Sequence, residues 1–322
     1  MIFLALRPKA TAEPSARAYR LAAQTLLTDS PLRTLSAFEL ESVPEAREIV
    51  PAESRAKPRQ SLFSGAAWLA GATQHVECRW GDCGYWLRIG NSVTWSVAAD
   101  GTTIRCPERP AGVSTEALEE MALGPCLLLA LALRGTFCLH ASAVRGAGGA
   151  VAFLGSSGSG KSTLAAGLER SAEAADWSRL SDDLLPVRLD ESGPCVLPHF
   201  PQLKLPALEQ PSRGLPETIE LAAIYVLNGG AEPGRGIESR VLSPRAAVAA
   251  LARHTVAARL FAPELLARHF SFSAELVSRV PVRSLSYPWS GEVWRGVTAL
   301  LEVDRTGGNW RRGRDSNPRP RD

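Results

Sequence analysis

The sequence has no long apolar run. Its longest, Met121 to Leu133, is interrupted at Gly124-Pro125 and stops at Arg134, well short of the ~20 residues that a membrane-spanning helix requires. No export leader is evident either, because the apolar start Met1–Leu6 gives way at once to Arg7-Pro8-Lys9. Neither sign of charge is in excess: the net charge is +3, and outside residues 305–322 the chain holds 30 basic and 31 acidic residues. A neutral body lacks the basic face that nucleic-acid and anionic-membrane binding demand, so neither kind of partner is expected. The six cysteines, Cys78, Cys83, Cys106, Cys126, Cys138 and Cys195, are scattered over more than a hundred residues, which points to reduced thiols and a cytoplasmic protein. Lysine is scarce, four residues against thirty-two arginines, so a lysine inside a motif is informative. No internal repeat is evident.

What is present is an ordinary globular composition. Apolar residues make up 45% and charged residues 21% of 322 residues, enough for a core without a disulfide or metal staple. Residues 1–113 form a first region. In it, Ala16–Leu27 suggests a helix, while Tyr85–Ile89 and Val93–Val97 are short β-branched and aromatic runs in a small antiparallel unit over 68–106. Pro107–Val113 reads as a linker, and Ser114 caps a helix to Leu133 broken at Gly124-Pro125. Residues 114–304 then read as an α/β layer. Its expected strands are Phe137–Val144, Ala150–Leu154, Trp177–Ser181 and Ile219–Leu227, with a hairpin of Leu184–Leu189 and Cys195–Leu197. Helices are expected from Lys161 to about Glu173, from Pro244 to about Leu260, over Ser273–Arg279 and over Gly291–Leu301, the last two flanking a strand Val282–Tyr287.

The chemistry concentrates after the second of these strands. Gly155-Ser156-Ser157-Gly158-Ser159-Gly160-Lys161-Ser162 fits G-x-x-x-x-G-K-[ST] at every fixed position, followed by Thr163. The spacing has a physical reason: only glycine-rich backbone can curl successive N–H groups around phosphates, and the following helix points its positive end at the same place. Lys161 reaches the phosphates as a mobile charge, and the Ser162 hydroxyl suits the Mg2+ shell, so ATP and Mg2+ are the expected ligands. Twenty-one residues after Lys161 comes Asp182-Asp183, at the end of an expected strand. Laid beside the strand that feeds the loop, it would bring both carboxylates to the crevice where α/β sheets bind ligands. One would hold the metal and the other would accept a proton from an attacking hydroxyl; a solvated turn is the plainer alternative. His140, in an otherwise apolar strand, reads more readily as a satisfied core histidine than as an active-site group. His75, Cys78, Cys83 and Cys106 match no common zinc spacing, and no metal is expected there.

Together, Leu139-His140-Ala-Ser-Ala-Val144, the loop segment Val151–Thr163 and Leu180-Ser-Asp182-Asp183 resemble the catalytic domain of HPr kinase/phosphorylase and of HPr-kinase-related proteins, whose core fold is shared with phosphoenolpyruvate carboxykinase. The resemblance covers residues 137–189 and, more weakly, Pro198–Pro206. It implies an α/β P-loop core preceded by a smaller α+β region. It also implies Lys161 on the phosphates, Ser162 at Mg2+, Asp182 as base, Asp183 as a metal-side or supporting carboxylate, and His140 as an active-site partner. The chain departs from the bifunctional enzymes in its N-terminal half, in Thr163 where they carry an acidic residue, and in Arg213-Gly214, which stands among prolines where they have an Arg-Gly signature loop. The activity implied is transfer of the γ-phosphoryl of ATP to a serine-type hydroxyl of a protein or peptide. A catalytically silent nucleotide-binding regulator or scaffold and a small-molecule kinase remain alternatives, and self-association into a homo-oligomer is left open. A transporter ATPase subunit is disfavoured, since the sequence shows no Leu-Ser-Gly-Gly-Gln-like segment.

The last residues, 305–322, read as a disordered basic tail. Gly313-Arg-Asp-Ser-Asn-Pro-Arg-Pro320 has the look of a conceptual translation across the antisense of a tRNA T-arm, so removing 306–322 is expected to cost neither stability nor nucleotide affinity.

Overall fold

Tyr19, Leu21, Leu26 and Leu27 are all buried, and the backbone that buries them is extended. The helix expected over Ala16–Leu27 is therefore a hairpin, turned by Ala22 and Ala23 in the left-handed region at φ 46° and 54°. Ala, Leu and Arg favour helix locally, but sheet burial of alternate side chains outweighs that preference. The computed structural model describes residues 1–6, 16–43, 60–69, 71–90, 93–106, 112–170, 177–202, 215–228, 236–288, 293–308 and 310. It is a mixed α/β structure with two mixed sheets and two compact units.

The first unit comprises Met1–Cys138, His199–Pro206 and Val256–Arg268. Its strands are β1 (Ile2–Ala5), β2 (Arg17–Leu21), β3 (Gln24–Thr28), β4 (Gln60–Leu69), β5 (Ala72–Gly81), β6 (Gly84–Ile89), β7 (Val93–Ala98) and β8 (Thr103–Arg105). They form one sheet in the order β2-β3-β1-β8-β7-β6-β5-β4, in which β1 runs parallel to β3 and β8. The antiparallel unit read over 68–106 is thus the greater part of an eight-stranded sheet that also takes in the start of the chain. Ser114 caps α1 (Thr115–Met121), its hydroxyl accepting from Ala117 N at 3.1 Å. A π-turn at Ala122–Cys126 carries the expected break at Gly124-Pro125 before α2 (Leu127–Leu133), which lies against β7 and β8. Both helices fall in the first unit, so the boundary expected at residue 114 does not coincide with this division. The expected linker lies mostly outside the described residues.

The second unit, Leu139–Pro198, Ala207–Thr255 and His269–Asp322, is built on β9 (Phe137–Gly146), β10 (Gly149–Leu154), β11 (Ser178–Ser181), β12 (Leu184–Asp190), β13 (Gly193–Val196), β14 (Ile219–Leu227), β15 (Glu238–Val241) and β16 (Val282–Ser286). The sheet order is β10-β9-β12-β13-β14-β16-β15, and β10 also pairs in parallel with β14. That extra pairing closes five strands on themselves, so most residues on both faces of β9 and β10 are buried; β10 reads as an apolar run, and β9 is interrupted only by half-buried His140 and exposed Arg145. β11 does not lie beside β10 as the sequence suggested. It pairs antiparallel with β9, which stands between them. Local patterns fix each strand but carry no information on which neighbour an antiparallel strand such as β9 will separate.

The helices are α3 (Lys161–Arg170), α4 (Pro244–His254), α5 (Pro263–Arg279) and α6 (Val293–Thr306). Of these, α4 stops six residues before the expected Leu260, ending at Thr255 in extended conformation. Helix α5 starts earlier than expected, with Pro263 in the first turn, where its missing N–H costs nothing. Phe153, Leu164, Leu168, Tyr225, Leu285, Val297 and Leu301 form the core between sheet and helices. Trp310 belongs to the same core, 7% exposed and edge-on to Trp177 at 6.4 Å. The expected tail boundary at 305 is therefore corrected: α6 continues to Thr306, and Trp310 is part of the folded unit, while residues 311–322 lie outside the described residues. Among the described residues no helix is long and apolar enough to cross a membrane.

Candidate active site

The glycine-rich loop leaves the C-terminal end of β10, where Leu154 pairs with Val226 of the parallel strand β14. Gly158 and Gly160 take φ of 79° and 86°, a conformation that costs side-chain-bearing residues about 1–2 kcal/mol each. Alternating right- and left-handed residues turn successive N–H groups to one side and make an anion-binding concavity. Gly155 is needed for a different reason, since a Cβ there would run into the Ser159 side chain. The loop is pinned by Ser159 N donating to Ser156 O at 3.1 Å and by the Tyr287 hydroxyl donating to Ser159 O at 3.2 Å. Burial pushes the Tyr287 pKa up, so this hydroxyl keeps its proton and remains a donor.

Lys161 opens α3 and is 5% exposed. Its Nζ donates to Gly155 O at 2.8 Å and to Ser156 O at 3.0 Å, which folds the ammonium back over the loop. The Ser159 hydroxyl is buried without a hydrogen-bond partner, an orphan polar group inside the same loop. Ser156, Ser157, Gly158, Ser162 and Thr163 are exposed on its outer side. An ammonium, a ring of N–H groups, a helix start and an unpaired hydroxyl form a donor set, and a polyphosphate is an acceptor set. The residues present fit a nucleotide phosphate chain, with the exposed Ser162 hydroxyl free to face a cation.

The carboxylate pair follows β11 and is organised by β9. His140 and Ser142 are two residues apart and share one face of that strand. His140 Nδ1 lies 3.1 Å from Asp183 Oδ1, and the Ser142 hydroxyl donates to Asp182 O at 3.1 Å and to Asp182 Oδ1 at 3.4 Å. Backbone joins in, with Ala141 N donating to Asp183 O at 3.2 Å and the Ser181 hydroxyl to Leu184 O at 2.9 Å. The side chains of His140 and Asp183 are 34% and 14% exposed. They are neither core-buried nor loose. A carboxylate held on Nδ1 fixes the imidazole ring and its tautomer.

The structure therefore brings His140 together with Asp183, and Ser142 together with Asp182. It adds two residues that the sequence alone did not single out: Ser142 and Tyr287. The alternation His140-Ala-Ser142 before a carboxylate pair was a usable signal for the first. Nothing in the local sequence marked Tyr287. Cys78, Cys106 and Cys126 are buried, and burial raises the thiols of Cys78, to about 12, and of Cys126, as suits packed side chains.

No protein-family model matches the chain, and no curated protein matches it. Among solved structures, the Hpr(Ser) kinase/phosphatase from Coxiella burnetii is similar over 53% of this chain and 98% of its own, at a TM-score of 0.29 and 10% identity.

Proposed function

We propose that the chain is an ATP- and Mg2+-dependent kinase that passes the γ-phosphoryl group to a serine-type hydroxyl of a protein or peptide. The observation that carries this reading is the shape of the Gly155–Ser162 loop, with Gly158 and Gly160 in the left-handed region and Lys161 buried over it. Phosphoryl transfer asks mainly for positioning and charge stabilisation. Lys161 and the loop N–H groups hold the phosphates, and Ser162, with Asp183, faces the Mg2+, which neutralises charge on the phosphate oxygens. Asp182 accepts the proton of the attacking hydroxyl; its oxygen forms the new P–O bond while the bond to the leaving diphosphate breaks. Asp183 in addition holds His140 in place. The resemblance of the His140, loop and Asp182-Asp183 segments to the HPr-kinase-related group supports the same assignment.

The test is purified protein with γ-labelled ATP and Mg2+, beside Lys161→Ala and Asp182→Asn, scored for nucleotide binding and for label on peptides and proteins of the same cell. Lys161→Ala is expected to abolish binding. Asp182→Asn is expected to bind as wild type and to lose about 10²–10⁴-fold in transfer, the usual worth of a general base. Wild type that binds ATP but transfers nothing, with Asp182→Asn indistinguishable from it, would overturn the kinase reading in favour of a nucleotide-gated binder.

A further inference from the structure

His254 ends α4, where a helix exposes its carbonyls and a basic side chain complements the dipole. His254 is nonetheless well buried, 8% exposed. Its position in the fold is explained by the next residue. Thr255 makes an antiparallel bridge with Leu139 of β9, which brings the end of α4 to the strand beside His140, and His140 immediately precedes Ala141, the partner of Leu154 just before the glycine-rich loop. Thr255 is itself fixed, its hydroxyl donating to Leu251 O at 2.8 Å and meeting His269 Nε2 at 2.8 Å. The end of α4 is thus clamped against the strand that carries His140 and Ser142.

The charges near the ring belong to the same neighbourhood. After burial itself, the largest influences on His254 are the Lys161 ammonium and His140, followed by Arg253 on its own helix, and all of them lower its pKa. The imidazole is therefore neutral at neutral pH, keeping one N–H donor and one acceptor. Among the described residues no side-chain hydrogen bond is made by that ring, and its nitrogens are not among the fully buried unpartnered atoms, so they stay available to a ligand. It lies within the electrostatic reach of the lysine that would hold the phosphates and of the histidine paired with Asp183.

We propose that His254 is a phosphate-contacting residue of this site, donating a ring N–H to the terminal phosphoryl group of the bound nucleotide and so distinguishing a triphosphate from a diphosphate. The inference rests on the nucleotide-binding reading of the loop. A neutral donor suits the place: it adds a hydrogen bond to an anionic oxygen without adding a second buried cation beside Lys161.

The test measures affinities of the full chain for ATP and ADP with Mg2+, by calorimetry, for wild type, His254→Ala, His254→Gln and Lys161→Ala, with a melting curve for each. Wild type is expected to prefer ATP. His254→Ala is expected to weaken ATP binding about tenfold, the worth of one hydrogen bond to a charged group, with ADP binding unchanged. His254→Gln, which keeps a donor, is expected to restore part of the preference, and it decides the matter should the alanine variant melt early. Equal affinities for wild type and both variants, or equal loss for ATP and ADP, would overturn the role of His254 while leaving the nucleotide reading intact. Wild type that binds neither nucleotide would overturn both, and that outcome is recognisable because Lys161→Ala would then change nothing.

Discussion

Two mostly buried carboxylates in the second unit, Asp304 and Asp183, are each set against a basic side chain, and they are built differently. Asp304 accepts from the Tyr225 hydroxyl at 2.7 Å and the Ser239 hydroxyl at 3.2 Å, and lies 3.2 Å from Arg283 Nε. Tyr225 in turn accepts from Trp310 Nε1 at 3.2 Å, and burial, with Asp304 second, raises its pKa so that it stays a donor. Asp304 and Arg283 have side chains only 7% and 11% exposed, and a guanidinium does not titrate. Asp183 faces the His140 imidazole, whose side chain is a third exposed. The first cluster locks charge in place and ties β14, β15, β16 and α6 together. The second keeps its partner turned partly to solvent. A buried ion pair is not evidence of function; the difference lies in whether the partner is sealed in or open to exchange contacts.

Substitution should separate the two. Asp304→Asn leaves Arg283 buried and uncompensated, which is expected to cost about 3–5 kcal/mol in urea or thermal unfolding. Asp183→Asn, against a partly exposed partner, is expected to cost within about 1 kcal/mol of stability yet to lower phosphoryl transfer strongly. The reverse outcome, a folded and active Asp304→Asn beside an unfolded Asp183→Asn, would erase the distinction. Trp310→Ala tests the same cluster from its rim: loss of a buried tryptophan is expected to cost about 3 kcal/mol, whereas deletion of residues 311–322 is expected to leave the melting temperature unchanged. A deletion that begins at 306 removes both, and its effect should equal or exceed that of Trp310→Ala.

The contrast also explains what could be read from the sequence. The loop was legible whole, because G-x-x-x-x-G-K-S between an apolar strand and a helix encodes one backbone shape with residues that have few other uses. Asp182-Asp183 was legible as a pair, but its neighbour was misassigned, since β9 and not β10 lies beside β11 and supplies His140 and Ser142. Strand pairing is settled by closure of the sheet, which is a property of the whole unit. The hairpin over 17–28 was misread for a related reason: its side chains prefer helix until a sheet is present to bury Tyr19 and Leu21. Trp310 was hidden by the arginines that follow it. His254 drew no notice because a histidine in the last turn of a helix already has an ordinary explanation, and only the Leu139–Thr255 bridge brings the end of α4 to β9.

The smallest predicted effect is one of pH, and it places the histidines on the same scale as the carboxylates. Burial lowers the pKa of both His254 and His269 below the ordinary 6.5. The unfolded chain therefore takes up protons as pH falls through 6.5 while the folded chain resists, so stability is full above about 6.5 and is lost as pH drops below it. Each such group contributes at most about 1.4 kcal/mol per pH unit. Unfolding curves taken between pH 7.5 and 5 should show this decline, and His269→Gln should flatten it, because His269 meets Thr255 at the end of α4 and stays neutral there. Bound nucleotide sharpens the test: a phosphate anion beside His254 favours the protonated ring, so the part of the decline that belongs to His254 should shrink with ATP present and the part that belongs to His269 should not. A decline that nucleotide leaves untouched in the His269→Gln protein would place His254 with Asp304, among the groups that only hold the fold together.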